Sequence, residues 1–228
     1  MTLGVSPVKK IKKSLQKELD DKKVSHITFS PSGNLLAYYI GGTDEKPTRI
    51  FTIRDLVKEK EYSFSNSVSY WDLVEDQKKV FDFSPDGKKL VYLDDKDGTL
   101  AIYLADTIKL SSGETTSTKI VTSAYQVDDF LFTDNQTIYY IGNTKENLYN
   151  WSLYKYNLKT NKDTIIESNV SYVDPIKKIG GALVFSRLQQ KGYGPEIYNL
   201  NTKKIEQFKT PDINIKKKIA NFTAMLFL

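Results

Sequence analysis

Few residues in this chain could carry covalent or metal chemistry. There is one histidine, His26, and no cysteine, which removes thiolate metal sites, Cys nucleophiles, disulfides and lipidation at a lipoprotein cysteine from consideration. A Ser-His-Asp triad would have to recruit His26, and no Gly-x-Ser-x-Gly elbow occurs. Zinc calls for several His or Cys ligands, so a zinc site is not expected. Carboxylates gather at Asp94-Asp95-Lys96-Asp97-Gly98 and at Asp128-Asp129. The first group lacks the alternating ligands and distal Glu of a calcium loop and reads as a polar turn, and no pair stands out as a glycosidase acid and base. No catalytic residue, metal ligand or cofactor site is therefore expected. The remaining candidates are aromatic. Tyr70-Trp71, Tyr149-Asn150-Trp151 and Gly192-Tyr193-Gly194 fall at or near loops, where Tyr and Trp offer contact area to a partner. Tyr70, Trp71, Trp151 and Tyr193 are the expected partner-binding residues, although the same residue types also fill cores.

The elements that would position these side chains repeat along the chain. Phe81-Asp82-Phe83 and Leu90-Val91-Tyr92-Leu93 are two apolar runs joined by Ser84-Pro85-Asp86-Gly87. Pro85 pre-sets φ, Asp86 hydrogen-bonds its own main chain, and Gly87 takes the left-handed corner of a tight hairpin. His26 to Tyr39 repeats the pattern almost position for position, with Ser30-Pro31-Ser32-Gly33 at the turn. A third copy, Asp129 to Tyr140, places Asn135 near the glycine position, where Asn is expected to take the left-handed corner. A fourth, Pro175 to Phe185, keeps only Gly180-Gly181 in the turn. Each hairpin is followed by a third strand, such as Arg49–Ile53 or Ser152–Tyr156, and then by a fourth. In the last two copies the third strand leads into Asn157-Leu158-Lys159-Thr160 and Asn199-Leu200-Asn201-Thr202.

Four antiparallel strands in a recurring unit of about 45–50 residues are the mark of a propeller blade. The Phe-Ser-Pro-Asp-Gly-Lys hairpin, the Ile-Tyr strand and the Asn-Leu-x-Thr turn resemble the TolB-type propeller repeat, a WD-repeat-like family. The expected fold is an all-β propeller of four visible blades, at about residues 24–66, 78–123, 127–168 and 172–208, preceded by a segment over 1–23. Residues 209–228 form a tail or open a fifth blade, because Lys217-Lys218-Ile219-Ala220-Asn221-Phe222-Thr223 parallels Lys78-Lys79-Val80-Phe81-Asp82-Phe83-Ser84. A ring must close or cover its open edges, which would need further blades, self-association or an extra edge strand.

Val8, Ile11, Leu15 and Leu19 recur at helical spacing beside a run of lysines, giving a short amphipathic helix over about residues 8–22. Such a helix packs its stripe on the domain, and its basic face also suits an anionic membrane surface or a partner. The net charge of +5 does not mark a nucleic-acid binder. Residues 9–23 hold seven Lys against Glu18, Asp20 and Asp21, and Lys216-Lys217-Lys218 add three charges, which leaves the rest of the chain slightly acidic. The TolB-type resemblance implies a bacterial, non-enzymatic binding or scaffold module that meets a protein, peptide or envelope partner, in an extracytoplasmic or cell-envelope setting. The alternative is the propeller of a prolyl oligopeptidase-type serine peptidase whose catalytic domain lies outside this chain.

Overall fold

A computed structural model describes residues 13–22, 24–41, 48–69, 79–94, 101–114, 117–120, 124–189 and 192–207. Within them, consecutive strands pair into four antiparallel sheets of four strands each. The first sheet is β1 (Val24–Phe29), β2 (Leu35–Gly41), β3 (Thr48–Asp55) and β4 (Lys60–Ser69). The second is β5 (Phe81–Phe83), β6 (Lys89–Asp94), β7 (Ala101–Asp106) and β8 (Ser117–Lys119). The third comprises β9 (Gln126–Asp134), β10 (Thr137–Asn143), β11 (Ser152–Asn157) and β12 (Lys162–Ser168), and the fourth β13 (Lys177–Ile179), β14 (Ala182–Gln189), β15 (Gly192–Asn199) and β16 (Lys204–Gln207). The first strands of successive sheets lie side by side, β1 with β5, β5 with β9 and β9 with β13. This is a propeller with those strands innermost. Two short helices accompany it among the described residues, α1 (Lys13–Asp21) and α2 (Thr107–Leu110). The expected helix is present from Lys13; residues 8–12 and the expected fifth blade at 209–228 lie outside the described residues.

The inner hairpins close as their residue types dictate. Gly33 and Gly87 sit at φ 70° and 71°, a conformation that costs an L side chain strain. In the second sheet, the Ser84 hydroxyl donates to Asp86 Oδ1 at 2.7 Å, and the Lys88 N–H donates to the same oxygen at 3.1 Å. Asn135 departs from expectation. Positive φ falls on other residues, and β9 turns into β10 through Asn135-Gln136 without it. Asn135 serves the neighbouring sheet instead: its Oδ1 accepts the Asp86 N–H at 2.9 Å and its carbonyl accepts Lys89 Nζ at 3.3 Å.

A second device recurs at the turns between third and fourth strands. Asp55, Asn157 and Asn199 each accept two backbone N–H bonds of 2.9–3.1 Å through Oδ1, from the residues two and three further on. Asp106 does the same at 2.8 and 3.2 Å, and there the turn lengthens into α2. In the three shorter turns the exit residue, Glu59, Asn161 or Lys203, takes φ between 52° and 59°. The side-chain cap meets N–H groups that a tight turn would otherwise leave unpaired.

Alternation along the strands divides the core. From β2, Ala37 and Tyr39 face the second sheet, joining Phe51, Ile53, Phe81, Leu90 and Tyr92. Aromatic rings pack through this interface, with Phe51 stacked on Tyr92 at 4.9 Å and Tyr39 tilted against Phe81 at 4.7 Å between centroids. The same cluster runs on into Phe130, Phe132, Ile138 and Tyr140 of the third sheet. The other face of the third sheet packs Leu131, Tyr139, Ile141 and Leu153 on Leu183, Phe185 and Tyr198 of the fourth. Leu36 and Tyr38 point the opposite way from Ala37 and meet Leu19 of α1. Leu19 is fully buried, a contribution of about 1.5–3 kcal/mol.

Polar contacts fix α1 in place. Glu18 pairs with Arg54 Nη1 at 2.7 Å and with Lys22 at 3.0 Å, Lys22 reaches Glu61 at 3.0 Å, and the Tyr38 hydroxyl donates to Glu61 Oε2 at 2.5 Å. The Arg54 and Lys22 bonds hold the Glu18 carboxyl down at about 2, while burial first and Glu61 second push the Tyr38 phenol up.

Candidate functional site: the long-connection end and the inner carboxylates

The meander sorts the connections between two ends. The tight turns at 30–34, 84–88, 135–136 and 180–181 share one end with the capped turns. Connections from second to third strands, and from one sheet to the next, lie at the other end and include residues 144–151 and 169–176. Long irregular connections on a rigid scaffold are where binding surfaces are usually carried.

Between the third and fourth sheets these connections are bound into one framework. The Asn169 N–H donates to Asn150 Oδ1 at 3.3 Å, the Val170 N–H to the Trp151 carbonyl at 3.0 Å, and the Leu188 N–H to the Asn169 carbonyl at 2.8 Å. Val170 also bridges to Arg187, whose guanidinium lies 3.5 Å from both Glu167 and Glu196. Asn143 holds the approach to the first connection, its Nδ2 donating to Gln126 Oε1 at 2.9 Å and to the Leu148 carbonyl at 3.0 Å.

On this framework Trp151 is half-buried, rooted against the core of the third and fourth sheets and stacked on Tyr172 at 5.2 Å between centroids. Tyr172 and Val173 are exposed, as is Leu148, and Tyr149 is 97% exposed. Large rings held by packing, with their outer surfaces in water, can bury against a partner at little cost in side-chain entropy. Of the four expected partner-binding residues, Trp151 is thus the foundation of the patch. Tyr193 is the second residue of β15, paired in register with Leu188. Tyr70 and Trp71 lie outside the described residues, just after β4 ends at Ser69. Sequence reading passed over Tyr172 and Val173, whose Ser-Tyr-Val-Asp-Pro setting between repeats was the signal available for them.

The inner strands carry the second polar feature. Asp82 Oδ2 accepts the Phe132 N–H at 2.6 Å, tying β5 to β9, while its Oδ1 pairs with Lys79 at 2.6 Å. Asp129 Oδ1 accepts the Phe130 N–H at 2.8 Å and its Oδ2 accepts the Ile176 N–H at 2.7 Å, tying β9 to the approach to β13. Lys178 reaches back to the Thr133 carbonyl. Burial raises both carboxyls, Asp129 to about 7, with Asp128 adding to the rise and Lys79 opposing it. These carboxylates spend their oxygens on neighbouring backbone, so their work in this geometry is to stitch sheets together. Asp128 and Asp129 both lie within β9. His26 sits in the β1 bulge at φ 55°, edge-on to Tyr39. Among the described residues no group of three or more His and acidic side chains is placed to hold a metal ion.

Four meandering sheets packed face to face, with their first strands adjacent, define a β-propeller. Solved structures agree with this fold, among them propeller domains of proteases and TolB-like propellers. The β-propeller domain of the Trilobed protease from Pyrococcus furiosus, described as having an open velcro topology, superposes with a TM-score of 0.55 at 15% identity, over 82% of this chain and 57% of that one. Acylaminoacyl peptidase from Pyrococcus horikoshii gives 0.54 at 15% identity, over 83% of this chain and 33% of that one. A putative TolB from Agrobacterium tumefaciens gives 0.51 at 14%, over 82% and 62%. This chain thus spans less than two thirds of each of the three. A scan of family models and a search of curated proteins find no match.

Proposed function

We propose that this chain is a non-enzymatic propeller module that binds a protein or peptide partner through the end carrying residues 144–151 and 169–176. The observation that supports this reading is the exposed Tyr172, stacked on the packed Trp151 beside exposed Val173 on a connection braced by backbone hydrogen bonds, with the almost fully exposed Tyr149 on the other connection at the same end. Tyr193 and the Tyr70-Trp71 pair extend the same partner-binding assignment. The partner supplies apolar side chains to the rings, and binding energy concentrates on a few of them.

Selection of a displayed random peptide library on the immobilised chain tests the proposal. Enriched peptides should carry apolar or aromatic anchors and should bind a Tyr149→Ser/Tyr172→Ser variant at least about 30-fold more weakly, the loss of one hot spot of ~2 kcal/mol. A Val57→Ser change at the opposite end should leave binding untouched. No enrichment, or equal binding to the double variant, refutes the assignment.

A second reading has its own support, since two of the matching propellers belong to peptidases. On that reading the chain is the propeller of a prolyl oligopeptidase-type serine peptidase and gates substrate for a catalytic domain encoded elsewhere in the gene. A reading frame that continues into an α/β domain with a Gly-x-Ser-x-Gly elbow would favour it, and one that continues into further blades would dismiss it.

A further inference from the structure

The two outermost sheets are finished differently. In every sheet the second strand carries a repeated triplet: Leu36-Ala37-Tyr38, Leu90-Val91-Tyr92, Ile138-Tyr139-Tyr140 and Leu183-Val184-Phe185. In the third and fourth sheets the outer members of the triplet face the preceding sheet, and in the third the middle member faces the next one. The first sheet obeys the same rule, with Ala37 turned to the second sheet, but Leu36 and Tyr38 meet α1. The helix therefore occupies the seat that a preceding sheet holds elsewhere.

At the other extreme, Val184 is the counterpart of Ala37 and Tyr139. Its cross-strand neighbour Ile197 corresponds to Ile53, and the Ser186–Pro195 pair corresponds to Tyr39–Phe51. These residues and Ile179 share one face of the fourth sheet, where Ile179 is 40% and Leu188 51% exposed and Pro195 also lies open. Among the described residues, every other sheet face of this kind is covered by a neighbouring sheet through interlocked side chains.

We propose that residues 217–228 of this same chain dock on that face as the inner strand of a further sheet. The chain leaves the fourth sheet at Gln207, the end of β16. Residues 208–219 then span about the length of residues 70–80, which connect β4 to β5. The segment after this connection carries residue types like those of β5: Ala220-Asn221-Phe222 stands for Phe81-Asp82-Phe83, and the apolar run Met225-Leu226-Phe227-Leu228 comes next. In the second sheet Phe81 and Phe83 are the residues that pack on the preceding sheet, with Phe81 against Tyr39 and Phe51. Ala220 and Phe222 take that role against Ser186, Pro195 and Val184.

The absence of native cysteine gives a clean test. Ser186→Cys and Ala220→Cys, introduced together in the full chain, reproduce the Tyr39–Phe81 contact position with small side chains. Mild oxidation should yield a monomer lighter by the two thiol hydrogens, with faster migration on a non-reducing gel. Disulfide-linked dimers would show that a second copy occupies the face, and thiols that stay free would show that the segment does not reach it; either result overturns the proposal. As a readout independent of the cysteine pair, Phe222→Asp should raise binding of an apolar dye several-fold while the far-ultraviolet circular dichroism is unchanged. Unaltered dye binding would count against docking.

Discussion

Asp129→Asn offers the sharpest test of how the sheets are joined. The wild-type carboxyl is fully buried, accepts N–H groups from Phe130 and Ile176, and is raised from 3.8 to about 7, chiefly by burial. Between those two values the folded chain holds a proton that the unfolded chain has released. Stability from this group is accordingly complete below about pH 4, falls as pH rises towards 7, and is flat above. From about pH 5 to pH 8 the carboxyl passes roughly two pKa units, a loss of about 3 kcal/mol at 1.36 kcal/mol per unit. Asparagine has the same shape and no charge, so it keeps one acceptor for the backbone and removes the titration. Urea unfolding of both proteins, followed by tryptophan fluorescence and circular dichroism, isolates the effect, because other titrating groups cancel in the difference. The variant should gain about 3 kcal/mol relative to wild type between the two pH values. A difference that does not change with pH would refute the desolvated state of Asp129 and its place in the joint.

Two further substitutions probe other parts of the fold. Leu19→Ala should cost about 2–3 kcal/mol, near the low end for a buried leucine because α1 can loosen without unfolding the sheets, and hydrogen exchange should quicken in α1 alone. Unchanged exchange there would mean that the helix is not held by Leu19. Gly142→Ala should destabilise by about 1–3 kcal/mol, since its new Cβ would fall 2.5 Å from Ala124 Cβ and 2.9 Å from the Gln126 carbonyl oxygen; a wild-type urea midpoint would contradict that packing.

Much of the architecture could be read from the chain because propeller blades reuse local chemistry. Alternating apolar runs, Ser-Pro-Asp-Gly corners and Asn-Leu-x-Thr turns each act within a few residues, and all three lie where sequence placed them. Asn135 shows where local reasoning stopped. Its residue type suits a left-handed corner, but a two-residue turn needed none, and contact with Asp86 and Lys89 of the adjacent sheet decided its role. Asp82 and Asp129 were equally opaque, because their partners, Phe132 and Ile176, are on the order of fifty residues away and are backbone groups with no sequence signature. The candidate site was legible in part. Trp151 announced itself by type and position, whereas its stacking partner Tyr172 comes from the next connection and meets it only once the third and fourth sheets are packed.

The helix on the first sheet makes ring closure a contest for one seat. Leu36 and Tyr38 cannot be covered by Leu19 and by another sheet at once. An incoming sheet must evict α1, re-expose Leu19, and break the Glu18–Arg54 and Lys22–Glu61 pairs before it gains any contact of its own. Those pairs are partly solvent-exposed and weaken as salt rises, whereas apolar packing does not. Raising ionic strength should therefore weaken the polar hold on α1 while leaving the Leu19 packing in place.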